Sequence, residues 1–85
     1  MFVLPTEIKF ANAAQVLQQG LQALPQSGYA IDCIALEACD SSAIAVLLAW
    51  QRNAPEQRLQ FMTVPTCLQR LAKLYGVNHI LGIAV

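Results

Sequence analysis

Apolar and polar positions change rhythm several times along this chain, and each change marks an element. Phe2-Val3-Leu4-Pro5 is a short apolar run stopped by proline, the pattern of a brief strand. Phe10, Ala14, Leu17, Leu21 and Leu24 then step by four and three, which lays them on one face of a helix. Gln15, Gln18, Gln19 and Gln22 take the wetter side, Gly20 weakens the helix, and Pro25 with Gly28 ends it. Tyr29 to Leu36 is apolar, short and flanked by turn signals, which predicts a buried central strand. Asp40-Ser41-Ser42 offers three candidate N-caps for the run AIAVLLAWQRN, which Pro55 closes.

That second helix is unusually apolar. At about 100° per residue, Ile44, Val46, Leu47, Leu48 and Trp50 sweep an arc of roughly 200°, wider than an ordinary core stripe. Ala45, Ala49, Arg52 and Asn53 remain as a small, smooth opposite face. Leu59 to Val64 alternates loosely and predicts another strand. Pro65 suits the first turn of a helix whose buried face is Leu68, Leu71, Ala72 and Tyr75, with Gly76 at its C-cap. Asn78 to Leu81 predicts one last turn. The order β-α-β-α-β-α implies an α/β fold, with right-handed crossovers and helices packed on the sheet.

Composition narrows the function classes. The 85 residues suffice for one small domain, taken as residues 1–85, and 56% of them are hydrophobic against 12% charged. Five basic and five acidic side chains cancel, so there is no basic footprint for nucleic acid and no charge to draw the chain to an anionic membrane. The longest unbroken apolar run, Ala43 to Trp50, is far below the ~20 residues of a bilayer-spanning helix. No signal peptide is expected from the Phe-Val-Leu-Pro start. So few charges leave apolar surface exposed, which points to a protein partner.

Asp40-Ser41-Ser42 is the polar cluster that stands out. At a strand-to-helix junction, free N–H groups and the helix dipole favour negative charge, so a phosphate on Ser41 would be well placed there. Asp40 could orient the hydroxyl. Plain N-capping is the alternative reading of the same residues.

The stretch LEACDSSAIAVLLAWQR resembles the signature of STAS domains, found in anti-sigma-factor antagonists and in the cytoplasmic tails of sulfate transporters. Together with the later VPTCLQRLAKLYGV, it looks most like the Mla branch, over Phe2 to about Leu81. The resemblance implies a STAS-like α/β fold, a small mixed β-sheet with helices packed against it. It also implies a non-catalytic subunit that binds the ATPase of a phospholipid-transporting ABC system at the bacterial inner membrane, in the cytoplasm. Ser41 matches the key Ser/Thr of that family and Asp40 its preceding acid. Ser42, Ala43, Ala45, Ala49 and Arg52 complete the expected contact surface. Ala43 stands where antagonists usually carry glycine, and the family's first strand pair is reduced to a single short strand. The exposed sheet edge and small-residue face also predict that the isolated domain either self-associates, as a homodimer, or leans on its partner for solubility.

The resemblance leaves a second reading, an anti-sigma-factor antagonist whose Ser41 is phosphorylated by a kinase partner. A third, from the residues alone, is a thiol enzyme using Cys39 or Cys33. Cys33, Cys39 and Cys67 make an odd number without a CxxC pair, which disfavours a disulfide scaffold and favours a reducing compartment. Cysteines in or beside a central strand usually act as small buried hydrophobes. His79 has no ligand-spaced partner, and Arg52, Arg58, Arg70 and Lys73 read as solvated charges. No glycine-rich phosphate loop is present, so no cofactor or nucleotide is expected.

Overall fold

The start of the chain, where the pattern predicts one strand, forms two in the computed structural model, which describes residues 1–83. β1 (Phe2–Val3) and β2 (Glu7–Ile8) flank the turn at Pro5-Thr6. They are followed by α1 (Ala13–Ala23), β3 (Ala30–Asp32), β4 (Ala38–Cys39), α2 (Ser41–Asn53), β5 (Gln60–Met62), α3 (Thr66–Leu74) and the one-turn α4 (Asn78–Leu81). The expected loss of the first strand pair is thereby corrected: Glu7–Ile8 is too short to show alternation, yet it pairs with Ala38–Cys39.

β3 lies between β1 and β5, and β2 pairs with β4 in a second, two-stranded sheet. Every described pairing is parallel, Phe2 facing Ile31, Ile31 facing Phe61 and Ile8 facing Cys39. The α/β architecture stands, in the form of two short parallel sheets with helices packed against them. The strand expected over Tyr29–Leu36 is cut back to Ala30–Asp32 for a local reason. Asp32 Oδ1 accepts the Ile34 N–H at 3.0 Å and the Leu36 N–H reaches the Cys33 carbonyl at 3.0 Å, so the chain turns before re-entering as β4.

The core gathers around Trp50 of α2, with Leu4, Ile8, Ile31, Cys33, Leu47, Leu68 and Leu81 all buried. The Trp50 indole lies against Gly20 of α1, so closely that a Cβ there would collide with the ring. Its Nε1–H donates to the Leu17 carbonyl at 2.9 Å. Phe2 meets its edge at 5.6 Å with planes 86° apart. Gly20, expected only as a weak point in the helix, is thus where the two helices approach each other.

The predicted face of α1 is corrected accordingly. Val16 and Gly20 are its buried positions, Leu24 is buried at its C-cap, Leu17 and Leu21 are half-buried, and Ala14 and Phe10 are exposed. Phe10 falls outside the helix, in a turn closed by Asn12, whose Oδ1 accepts the Lys9 N–H at 2.8 Å and whose Nδ2 donates to the Glu7 carbonyl at 2.9 Å. At the other end of the chain, α3 stops where expected. Gly76 takes φ 69°, its N–H reaches the Lys73 carbonyl at 3.1 Å, and the Val77 N–H reaches Ala72 at 2.9 Å. Pro65 precedes the helix as its N-cap residue instead of sitting in its first turn.

Candidate functional site

The start of α2 is built by the strand pair that feeds it. β2 and β4 run parallel and end together, the Asp40 N–H bonding back to the Ile8 carbonyl at 3.2 Å. The Asp40 backbone is extended, and its side chain becomes the N-cap. Oδ1 accepts the Ser42 N–H at 2.9 Å and the Ser42 hydroxyl as well. Oδ2 accepts the Phe10 N–H at 3.1 Å, which ties the Phe10 turn to the helix entrance. These bonds, the Ser42 hydroxyl foremost and then the Phe10 and Ser42 N–H groups, hold the Asp40 carboxyl below its ordinary value, with the Lys9 charge adding to the effect.

Of the three candidate caps, Asp40 is therefore the one used. Its carboxylate holds Ser42, not Ser41, which corrects the expectation that Asp40 orients the Ser41 hydroxyl. Ser41 occupies the first helical position and is exposed. Ser42 is half-buried.

Two shallow grooves flank this helix start. One, of about 440 Å³, is lined by Ser41, Ile44, Ala45 and Leu48 together with Tyr75 and Val77 from the end of α3. The other, of about 380 Å³, is lined by Phe10, Ala13, Ala14, Leu17, Ser42, Ala45 and Val46. Ala45 borders both, so its methyl group is a low ridge between two apolar depressions. Phe10 (86% exposed) rises on one side and Tyr75 (53% exposed) on the other.

The expected contact residues divide on this geometry. Ser41, Ser42 and Ala45 come together. Ala43 does not join them: it is 0% exposed, because the helix turns it into the core beside Leu47. Ala49 is half-buried, and neither it nor Arg52 is among the groove residues. Arg52 is exposed at the far end of α2, about 16 Å along the axis from Ser41 at 1.5 Å per residue. Phe10 and Tyr75 are the residues the sequence reading missed, since their spacing assigned both to buried helix faces. The signals against burial were Asn12, a turn residue just after Phe10, and Gly76, a helix stop just after Tyr75.

The cysteines have environments of their own. Cys33 is fully buried, and burial, reinforced by the Asp32 carboxylate, pushes its thiol up to about 12. Cys39 is half-buried and also pushed up to about 12, by burial first and then by its hydrogen bond to Cys67. Both thiols are thus held protonated and poorly nucleophilic, which argues against the thiol-enzyme reading. His79 is exposed on α4, where its backbone carbonyl accepts Arg58 Nη2 at 3.0 Å.

The family described as Mlab, STAS domain matches residues 2–82. This chain belongs to the MlaB-type STAS domain family. Neither the curated proteins nor the solved structures yield a match to it. STAS domains are interaction modules. No helix among the described residues is long and apolar enough to cross a membrane.

Proposed function

We propose that this STAS domain is a non-catalytic regulatory subunit that docks on the cytoplasmic ATPase of a phospholipid-transporting ABC system and is held at the inner membrane through that complex. Family membership supports the class of partner. The observation that carries the docking site is the division of labour at the helix start: Asp40 closes the cap, leaving Ser41 exposed beside Ala45 between two apolar grooves. Small side chains there let a partner backbone come close, while Phe10 and Tyr75 supply apolar area at the margins. Docking in this manner regulates by stabilising the ATPase conformation that fits the surface better.

The test is affinity for the ATPase subunit from the same host, measured by calorimetry beside thermal stability. Ser41→Glu and Ala45→Glu place a carboxylate where it must be desolvated, a penalty of several kcal/mol, so affinity falls about 100-fold or more while the fold is kept. Gln26→Glu, exposed near the N-terminal ends of the strands, leaves binding unchanged. Retention of parental affinity by both helix-start variants refutes the surface.

The exposed Ser41 hydroxyl, standing outside the cap, also favours a second reading: an antagonist switched by phosphorylation of Ser41 by an anti-sigma-type kinase. Phosphate mapped to Ser41 in protein from native cells supports it, and an unmodified Ser41 under all growth conditions removes it.

A further inference from the structure

Cys39 and Cys67 are far apart in the chain and adjacent in the fold. Cys39 ends β4, one residue before the Asp40 cap, and Cys67 lies in the first turn of α3, which packs on β4. Their Sγ atoms stand 3.2 Å apart, Cys39 donating its S–H to Cys67. A disulfide bond is about 2 Å long, so closure asks for an approach of about 1 Å. Both residues are only half-buried, whereas the third cysteine, Cys33, is sealed in the core. The chain therefore presents one accessible dithiol and one thiol shielded from exchange.

We propose that Cys39 and Cys67 form a reversible intramolecular disulfide by exchange with a small-molecule disulfide of the oxidised-glutathione class. The Cys67 thiolate attacks one donor sulfur and expels one donor thiolate, leaving a mixed disulfide on Cys67. With Cys67 tied up in the mixed disulfide, its hydrogen bond and charge no longer hold the proton on Cys39, which gives that proton to solvent and attacks the adjacent Cys67 sulfur, expelling the second donor thiolate. Two protein thiols are oxidised and one donor disulfide is reduced to two thiols. Cys67 is the first attacker because burial and the hydrogen bond hold the proton on Cys39. The bond would staple the strand entering α2 to the helix that ends at Tyr75, and so fix two walls of the groove that Ser41 and Tyr75 line. This site is independent of which partner the groove takes.

The experiment uses the full chain, reduced, freed of reductant and exposed to oxidised glutathione. Cleavage after Glu37 and Glu56 puts Cys33, Cys39 and Cys67 on separate fragments, so the linkage can be read directly by mass. The expected result is a monomer lighter by two hydrogens, a Cys39–Cys67 linked fragment, a melting temperature raised by more than about 5 °C, and full reversal by dithiothreitol. Cys39→Ser should stop at a glutathione adduct on Cys67, and Cys33→Ala should leave the linkage unchanged. Where either variant fails to fold, the fragment map of the parent decides. A parent chain that stays fully reduced, retains glutathione on Cys67, links between two chains, or uses Cys33 overturns the proposal.

Discussion

Gly20→Ala sets two effects of opposite sign against each other. In an exposed helix interior, alanine is favoured over glycine by about 1 kcal/mol. Here the added Cβ would overlap Cε2 and Cζ2 of the Trp50 indole and stand 2.5 Å from its Nε1. The indole has little room to yield. It is 1% exposed, bonded through Nε1 to the Leu17 carbonyl at 2.9 Å, and edge-packed on Phe2. Overpacking of this kind costs about 1–3 kcal/mol, and losing the Nε1 bond adds about 1 kcal/mol. After the propensity gain is subtracted, the net destabilisation is about 1–3 kcal/mol, or a melting temperature lower by roughly 5–20 °C. Urea unfolding followed by far-UV circular dichroism, a signal that survives replacement of the single tryptophan, measures it, with the slope checked so that only the midpoint is compared. In a Trp50→Phe background the smaller ring leaves space, and the same substitution becomes neutral or stabilising, which a double-mutant cycle reads as coupling. If Gly20→Ala stabilises the parent, propensity governs the position and the close approach of α1 to α2 is misjudged.

Asp40→Ala removes the acceptor for both the Phe10 and Ser42 N–H groups, so it lowers the melting temperature by several degrees. Ser41→Ala, outside the cap, changes stability within about 0.5 kcal/mol, and a larger loss would return Ser41 to a capping role. The lowered Asp40 pKa makes its contribution to stability fully present above the ordinary carboxyl value of 3.8 and lost as the pH falls through the lower folded value. Melting curves between neutral and strongly acid pH should therefore fall less steeply for Asp40→Asn than for the parent. Phe10→Ser leaves the melting temperature within a few degrees of the parent, as its exposed ring contributes little to the core, and a large drop would show the ring to be structural.

The longest signals in the sequence were the ones read well. The run from Ala43 to Asn53 is long, strongly periodic and bounded by Asp40 and Pro55, and it forms α2 with Ile44, Val46, Leu47 and Trp50 of its apolar arc buried. α3, the Gly76 stop and the last turn at Asn78–Leu81 also stand where patterning puts them, because each carries local chemistry that only one conformation satisfies. Glu7–Ile8 and Ala38–Cys39 were not legible, since two-residue strands have no period and exist through their mutual pairing. Spacing alone drew Phe10 into α1 and Tyr75 into the core. In both cases a turn-forming neighbour ended the helix before the stripe did. The Cys39–Cys67 contact was beyond sequence reasoning altogether, as it depends on how α3 lies on β4.

The site itself was half-legible, and the missing half explains why it can serve as a surface. Asp40, Ser41 and Ser42 are equally plausible caps on paper, and if Ser41 were the cap, changing it for function would change the fold as well. The structure separates these roles by committing both oxygens of Asp40, one to Ser42 and one to Phe10. The same carboxylate that starts α2 therefore also holds the turn that raises Phe10, so cap and groove margin form together. Ser41 is left with its backbone in the helix and its hydroxyl outside the cap network. A residue so placed can meet a partner, or accept a phosphate, without the helix depending on its side chain. The constraint falls instead on Asp40, whose loss should loosen both the helix start and the Phe10 turn.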